Sequence, residues 1–179
     1  MFRKLVIILS LLPVLLFAKD RLPDTMTRDG VTFNKLGEHR FVYAMIFKLY
    51  DAALYVAPDS TAEDVLNAET SFELRFSYLR KIKKDIVLKS ASRMLERNLT
   101  EKEREQIAER VEAINRAYRT VEKGDVSALI YELGTGTTFE LNGERKITIP
   151  GKDFAQLYFT IWLGEKPASA NLRDDLLGR

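Results

Sequence analysis

The segment from Leu36 to Val56, LGEHRFVYAMIFKLYDAALYV, constrains the fold most, because it combines a long apolar run with embedded charges. Its aromatic and β-branched side chains favour strand over helix. We therefore predict a long central strand with a turn near Gly37. Alternate side chains of an unbroken pleat share one face, so Arg40, Lys48 and Tyr50 would lie together on an otherwise apolar wall.

A guanidinium on an apolar wall is costly to bury without a partner. Arg40 should therefore reach water, pair with an acid, or face a cavity that receives an anion. Its bidentate hydrogen bonds match a carboxylate, and the nearby phenol of Tyr50 could add a donor. In the alternative interpretation Arg40 pairs with Asp51, Glu73 or Glu140 and ties strands together. The residues alone leave both interpretations open.

The N-terminus has the pattern of a secretory signal peptide. Residues 1–4 carry two positive charges, residues 5–17 are a short apolar run, and Ala18 follows. We predict cleavage after Ala18, a single domain over residues 19–179, and a periplasmic or secreted protein. The apolar run is short for a spanning helix, so no stable membrane span is expected after removal, with an uncleaved anchor as the alternative.

The composition argues against several classes of function. Residues 19–179 contain 26 basic and 26 acidic side chains, because two of the 28 lysines and arginines belong to the leader. A neutral chain is not expected to bind nucleic acid nonspecifically. The chain has no cysteine and one histidine, His39. We therefore expect no metal, no cofactor, and no serine or cysteine hydrolase site.

The order of elements predicts an α+β fold, an antiparallel sheet covered on one side by helices. After the central segment we predict a short helix capped by Ser60 and Glu63, a half-exposed strand over Ser71 to Leu79, and helices over Asp85 to Leu99 and Thr100 to Glu122. A three-stranded meander should follow from Ala128 to Ile149, with a tight turn at Asn142 and Gly143. The chain should end with a helix from Asp153 to Gly164 and a last helix that begins at Ser169.

A cluster of cations precedes and enters the first long helix: Lys81, Lys83, Lys84, Lys89, Arg93 and Arg97. These side chains could attract anionic lipid or an acidic partner. The preferred interpretation is a solvated helix face, balanced by the glutamates of the next helix.

Several motifs in order resemble the bacterial, exported branch of the chalcone isomerase-like proteins. They are the Leu36 to Val56 segment, SFELRFSYLRKI, ASRMLERN, GDVSALIYELGTGTTFELNG, and FAQLYFTIWLG followed by LRDDLLG. The resemblance implies an open-faced β-sandwich, a long antiparallel sheet layered with helices that enclose a ligand cleft. Members include plant enzymes that close a flavanone ring and plant plastid proteins that bind fatty acids.

The resemblance also implies site residues. Residues 37–40, Gly-Glu-His-Arg, resemble the family's Gly-x-x-Arg turn, whose arginine contacts the ligand anion. The enzyme's two threonines align with Tyr50 and Ile161, and its helix-borne tyrosine and asparagine align with Ala91 and Asn98. Only the arginine and the asparagine are kept, so we do not expect chalcone cyclisation, whereas a cleft anchored by an arginine is retained.

Three functions follow as hypotheses. The first is a non-catalytic binding protein for a small amphipathic carboxylate such as a fatty acid, with Arg40 as anchor and Tyr50, Asn98 and Lys48 as further ligand-binding residues. The second is a cofactor-independent isomerase, or intramolecular lyase, in which Arg40 polarises an oxyanion and Tyr50 replaces the lost hydroxyls.

The third hypothesis is a protein-interaction module. Its cleft would be plugged by side chains such as Phe47, Met94 and Trp162, and its contact surface would be the charged helix from Thr100 to Glu122.

Overall fold

One antiparallel sheet forms the body of the molecule, in a computed structural model that describes residues 22–179. The predicted signal peptide, residues 1–18, lies outside the described residues. Each strand pairs with its neighbours in the chain, which confirms the predicted α+β class. The seven strands are β1 (Thr25–Arg28), β2 (Val31–Tyr43), β3 (Phe47–Val56), β4 (Phe72–Tyr78), β5 (Val126–Glu132), β6 (Gly136–Leu141) and β7 (Glu144–Ile149).

Helices cover one face of this sheet. They are α1 (Ala62–Leu66), α2 (Lys84–Asn98), α3 (Glu101–Ala117), α4 (Lys152–Tyr158), α5 (Thr160–Leu163) and α6 (Ala170–Leu176). Thr100 caps α3 through a capping box with Glu103, as predicted. The cap of α1 is Thr61 with Asp64, one residue later than the predicted Ser60.

The predicted single central strand is wrong, because the segment is a hairpin of β2 and β3. The chain reverses at Ala44 and Met45, which adopt φ values of 48° and 63°. The backbone N–H of Ile46 donates to the carbonyl of Tyr43 across the turn, at 3.3 Å. Neither central residue is Gly, Asn or Asp, so the sequence lacks the usual signal for such a turn.

Gly37 is not at a turn but inside β2, at an irregularity in its pairing with β3. A Cβ atom on Gly37 would lie 1.9 Å from the carbonyl oxygen of Asp175 and 2.8 Å from that of Leu176. The glycine is needed because the backbone of α6 packs directly against the strand.

The face of the sheet away from the helices holds a network of charges. Glu73 accepts hydrogen bonds from Arg28, at 3.0 Å, and from Arg75, at 2.6 Å. Arg28 also binds Glu140, at 3.0 Å. The predicted half-exposure of β4 holds for Arg75 and Ser77, which are partly exposed, and is wrong for Glu73, whose side chain is only 2 % exposed.

The helix α3 ends at Ala117, earlier than the predicted Glu122. Tyr118 turns to extended backbone and enters the core. Val121 then forms a bridge with Ile82, which follows β4. This early end places the Tyr118 side chain beside the sheet.

Candidate functional site

An apolar pocket of about 130 Å³ lies between the sheet and the helices α2 and α5. We call it the tyrosine pocket. Its walls include Tyr50, Tyr78, Tyr118, Tyr158, Ala91 and Trp162. Among the described residues that line it there is no Asp, Glu, His, Lys or Arg. The pocket therefore suits the apolar part of a ligand.

Four phenols supply most of the polarity of this pocket. The hydroxyls of Tyr78 and Ser127 are hydrogen-bonded at 2.9 Å, and those of Tyr118 and Tyr158 at 3.3 Å. The Tyr50 hydroxyl makes no hydrogen bond to another of residues 22–179. Burial raises the pKa of all four phenols above its ordinary value. They stay protonated at neutral pH, so each can donate or accept a hydrogen bond but none acts as a base.

Aromatic packing holds Tyr50 in position. Phe41, its partner across β2 and β3, stacks on the Tyr50 ring with 5.1 Å between ring centroids. Phe76 meets the same ring edge-on at 5.4 Å, and Trp162 packs against Phe76 at 5.4 Å. These contacts make a wall of rings whose geometry is fixed by the strand register.

The pocket collects three of the positions that the family resemblance indicated. Tyr50, Ala91 and Ile161 all line it. The resemblance implied a tyrosine in the enzyme at the position of Ala91, and the small side chain of Ala91 leaves space in the pocket. No threonine hydroxyl remains at the other two positions.

Asn98 does not line the pocket. Its amide donates to the carbonyls of Met94 and Lys166, at 2.8 Å and 2.9 Å, and its oxygen accepts from the backbone N–H of Lys166 at 2.8 Å. These contacts fasten the end of α2 to the segment before α6. Its predicted contact with a ligand stays a prediction.

The predicted shared face of Arg40 and Tyr50 is wrong. The strand register pairs Arg40 with Asp51 and Phe41 with Tyr50, so Arg40 points to the opposite side of the sheet from Tyr50. Its guanidinium binds Asp51 through Nε at 2.6 Å and Nη2 at 2.9 Å. The pattern of alternation failed because it was extended through the unrecognised turn.

Arg40 borders a separate, polar hollow. Glu38, Asp51 and Asp175 line that hollow with it. Asp51 binds the Arg40 guanidinium, Glu38 binds Lys35, and Asp175 binds His39, which also lines the hollow. The ion pair with Asp51 already occupies two donors of the guanidinium, which disfavours a further anion there. Lys48, which the unbroken pleat placed beside Arg40, pairs with Val42 and is exposed. Its role as a ligand-binding residue stays a prediction.

The tyrosine pocket adjoins an open groove of about 800 Å³, which we call the outer groove. Phe41, Leu49, Ile82 and Ile86 line both spaces. Of the three side chains suggested as plugs, Phe47 and Met94 line this groove, and Trp162 lines the tyrosine pocket without filling it. Four cations line this groove: Arg80, Lys81, Lys89 and Arg93. Lys81 pairs with Glu122, and we call the other three the cationic rim.

Sequence reasoning missed Tyr78, Tyr118 and Tyr158 as site residues. A signal was present, because Tyr78 ends the buried face of β4 and the other two end apolar stripes on helices. The apolar pattern predicted only that these three tyrosines are buried in the core. Only the assembled fold shows that the core leaves space beside their hydroxyls.

The described residues offer no metal site and no membrane span. Within residues 22–179, no group of three or more His, Cys, Asp or Glu side chains could hold a metal ion. No helix in the same range is both long enough and apolar enough to cross a bilayer.

A helix-covered antiparallel sheet with an apolar pocket between the two layers defines a class of α+β proteins with a ligand cleft. The chain belongs to the chalcone isomerase-like family, which it matches over residues 17–178. A fatty-acid binding protein of Arabidopsis thaliana has a similar fold, with a TM-score of 0.64 and 12 % identity over 88 % of this chain and 91 % of that chain. No curated protein matches this chain in sequence.

Proposed function

We propose that this chain is an exported, cofactor-free binding protein for a small amphipathic carboxylic acid of the fatty-acid type. The observation that carries the proposal is the tyrosine pocket, which is lined mainly by apolar side chains and entered by the Tyr50 hydroxyl, unpartnered among residues 22–179. The similar fold of a fatty-acid binding protein supports it. Export rests on the signal-peptide pattern of residues 1–18.

The sizes of the two spaces indicate how such a ligand lies. A pocket of about 130 Å³ compares with a cavity of roughly 150 Å³ that holds one benzene ring. Ligand pockets usually measure roughly 300 to 1,000 Å³, so the tyrosine pocket alone is too small for a whole acyl chain. The end of the chain therefore occupies the tyrosine pocket, and the rest runs along the outer groove.

The cationic rim is the better anchor for the carboxylate. Arg80, Lys89 and Arg93 form no ion pair with an acid among residues 22–179. A chain that leaves the tyrosine pocket through the outer groove ends beside them. Anchoring by Arg40 would require that residue to leave Asp51 and to reach the other side of the sheet.

Catalysis is the second candidate function, and one observation favours it. The protonated hydroxyl of Tyr50 could donate to a developing oxyanion in the pocket. The described lining holds no carboxylate, imidazole or amine to move a proton. We therefore place binding ahead of an intramolecular lyase reaction. Turnover of chalcones or related enones by the purified protein would reverse that order.

Binding is tested by calorimetry with decanoate, after mass spectrometry of any lipid that copurifies. Ala91→Phe fills the tyrosine pocket and should weaken decanoate binding at least about tenfold, since the displaced chain loses several buried methylenes. Ser92→Phe adds the same ring on the exposed side of α2 and is the matched control. Equal affinity in the wild type and in both variants would refute the pocket as the binding site.

The anchor is tested separately from the pocket. The double variant Lys89→Gln/Arg93→Gln should weaken decanoate binding about tenfold, the order expected when charge-assisted hydrogen bonds are lost. Binding of decanol, which has no carboxylate, should not change. If Arg40→Ala weakened decanoate binding and the double variant of the rim did not, Arg40 would be the anchor.

A further inference from the structure

The hairpin of β2 and β3 projects beyond the rest of the sheet. β4 pairs with β3 only from Tyr50 onward, and β1 pairs with β2 only as far as Asn34. Residues 43–47, which we call the hairpin tip, therefore extend as a two-stranded ribbon. The tip is uncharged, with the sequence Tyr-Ala-Met-Ile-Phe.

The tip exposes its apolar side chains to an unusual degree. Met45 is 94 % exposed, Ile46 72 %, Tyr43 62 % and Phe47 42 %. None of them belongs to the core, so the fold does not explain why they are apolar. Contiguous exposed apolar side chains mark interaction sites.

The turn of the hairpin tip has residue types that do not suit its backbone. Ala44 and Met45 occupy left-handed backbone, with φ values of 48° and 63°. Asn142 and Gly143 occupy the same region in the turn between β6 and β7, where their residue types suit it. At the tip, an apolar methionine stands where Asn or Gly would be less strained.

Cations surround the base of the tip. The segment from Arg80 to Arg93 contains six lysines and arginines and one acid, Asp85. The Arg80 guanidinium lies 4.9 Å from the ring centroid of Phe47, a tip residue. Lys48 follows directly on β3. The apolar tip therefore matches the acyl chains of an anionic bilayer, and the cations at its base match the phosphates, which lie outside the acyl chains.

We propose that the hairpin tip and the surrounding cations dock this protein onto an anionic lipid bilayer. Met45 and Ile46 enter the boundary between headgroups and acyl chains, and Tyr43 and Phe47 lie at headgroup level, where aromatic rings are favoured. A tip of five residues is far smaller than the roughly 20 to 30 residues that each partner contributes to a stable protein complex.

Docking in this orientation also turns the outer groove towards the lipid. Arg80, Lys89 and Arg93 line that groove, and the same cations face the phosphates. The inference stands on the exposed tip and the local charge, independently of whether the tyrosine pocket binds a fatty acid.

A single-cysteine reporter tests the docking, because the chain has no cysteine of its own. Met45→Cys in the full chain is labelled with a nitrobenzoxadiazole dye, whose emission rises and shifts to the blue in an apolar environment. We expect this change with phosphatidylcholine vesicles that contain phosphatidylglycerol, and not with phosphatidylcholine alone. The matched control is the same dye at Leu133→Cys, an exposed apolar position after β5.

The electrostatic part is tested in the protein that carries the dye at position 45. Lys89→Gln/Arg93→Gln should raise the lipid concentration for half-maximal response about fivefold for each cation removed. Lys102→Gln/Arg116→Gln removes two exposed cations from α3 and should leave the response unchanged. High salt should weaken the response of the parent protein.

Three results would overturn the proposal. The dye at position 45 could remain in water while the protein sediments with vesicles, which would assign binding to another segment. It could respond to added protein without vesicles, which would indicate that a second copy covers the tip. It could respond equally to neutral vesicles, which would remove the role of the cations. Decanoate calorimetry on Ala91→Phe, which leaves the tip and the cations in place, reports separately on the pocket.

Discussion

Arg40 binds Asp51 through two hydrogen bonds, of 2.6 Å and 2.9 Å, on the side of the sheet away from Tyr50. The pair joins β2 to β3 within the hairpin. It matches the interpretation in which the arginine ties strands together, one of the two that the sequence left open.

We expect Arg40→Ala to leave decanoate affinity unchanged. The arginine side chain is 40 % exposed, so losing its ion pair should lower the free energy of unfolding by no more than about 1 kcal/mol. Calorimetry measures the affinity and urea denaturation measures the stability. If affinity falls while the urea midpoint holds, Arg40 contacts the ligand after all.

Gly37→Ala should destabilise the protein strongly. The added methyl would lie 1.9 Å from the carbonyl oxygen of Asp175, which is backbone and can move only with α6. We expect a loss of about 3 kcal/mol, the upper range for overpacking. Gly134→Ala is the control, because its Cβ would meet nothing within 4 Å. That variant should lose only about 1 kcal/mol, from its left-handed backbone. Equal losses would argue against close packing of α6.

Glu73→Gln should cost more stability than the loss of an exposed glutamate. The change keeps the shape but leaves Arg28 and Arg75 short of a buried negative charge. Removing one partner of a buried ion pair costs about 3 kcal/mol or more. Glu122→Gln, which loses an exposed pair with Lys81, should cost less than about 1 kcal/mol. Urea denaturation compares the two variants, and similar midpoints would show that the network contributes little.

The buried phenols should make the protein sensitive to alkali. Burial raises the pKa of Tyr158 in the folded state, whereas in the unfolded chain it lies near its ordinary value of about 10. The contribution of Tyr158 to the free energy of unfolding is therefore complete below about pH 10. It is lost as the pH rises towards the pKa of Tyr158 in the folded state, because the unfolded chain releases the proton first.

Tyr158→Phe removes this contribution and should make the alkaline loss of stability less steep. Urea denaturation of both proteins, from neutral pH to above about pH 10, measures the two slopes. The variant also loses the hydrogen bond to Tyr118, so its stability at neutral pH should be slightly lower. Parallel slopes would mean that Tyr158 does not titrate with unfolding.

Local signals in the sequence were sufficient for several elements. Thr100 with Glu103 and Ser169 begin helices as predicted, because a capping side chain acts within one turn. Asn142 and Gly143 form the predicted tight turn, because their residue types tolerate positive φ. The family and the α+β class followed from the order of such segments.

The site could be predicted only in part. The sequence predicted Tyr50 as a ligand-binding residue, and Tyr50 lines the pocket together with Ala91 and Ile161, two positions where the resemblance indicated that the enzyme's residues are replaced. It could not place Arg40, because the face of that residue depends on where the chain reverses. A shift of one residue in register moves a side chain to the other side of a sheet.

The sequence by itself determined whether most segments are helix or strand and which of their faces are apolar, since those properties depend on residues a few positions apart. The tertiary structure alone decided that Arg40 meets Asp51, that Glu73 is buried, and that space remains beside Tyr50. Each of these depends on strand register and on the approach of distant helices, which are settled by the packing of the whole chain.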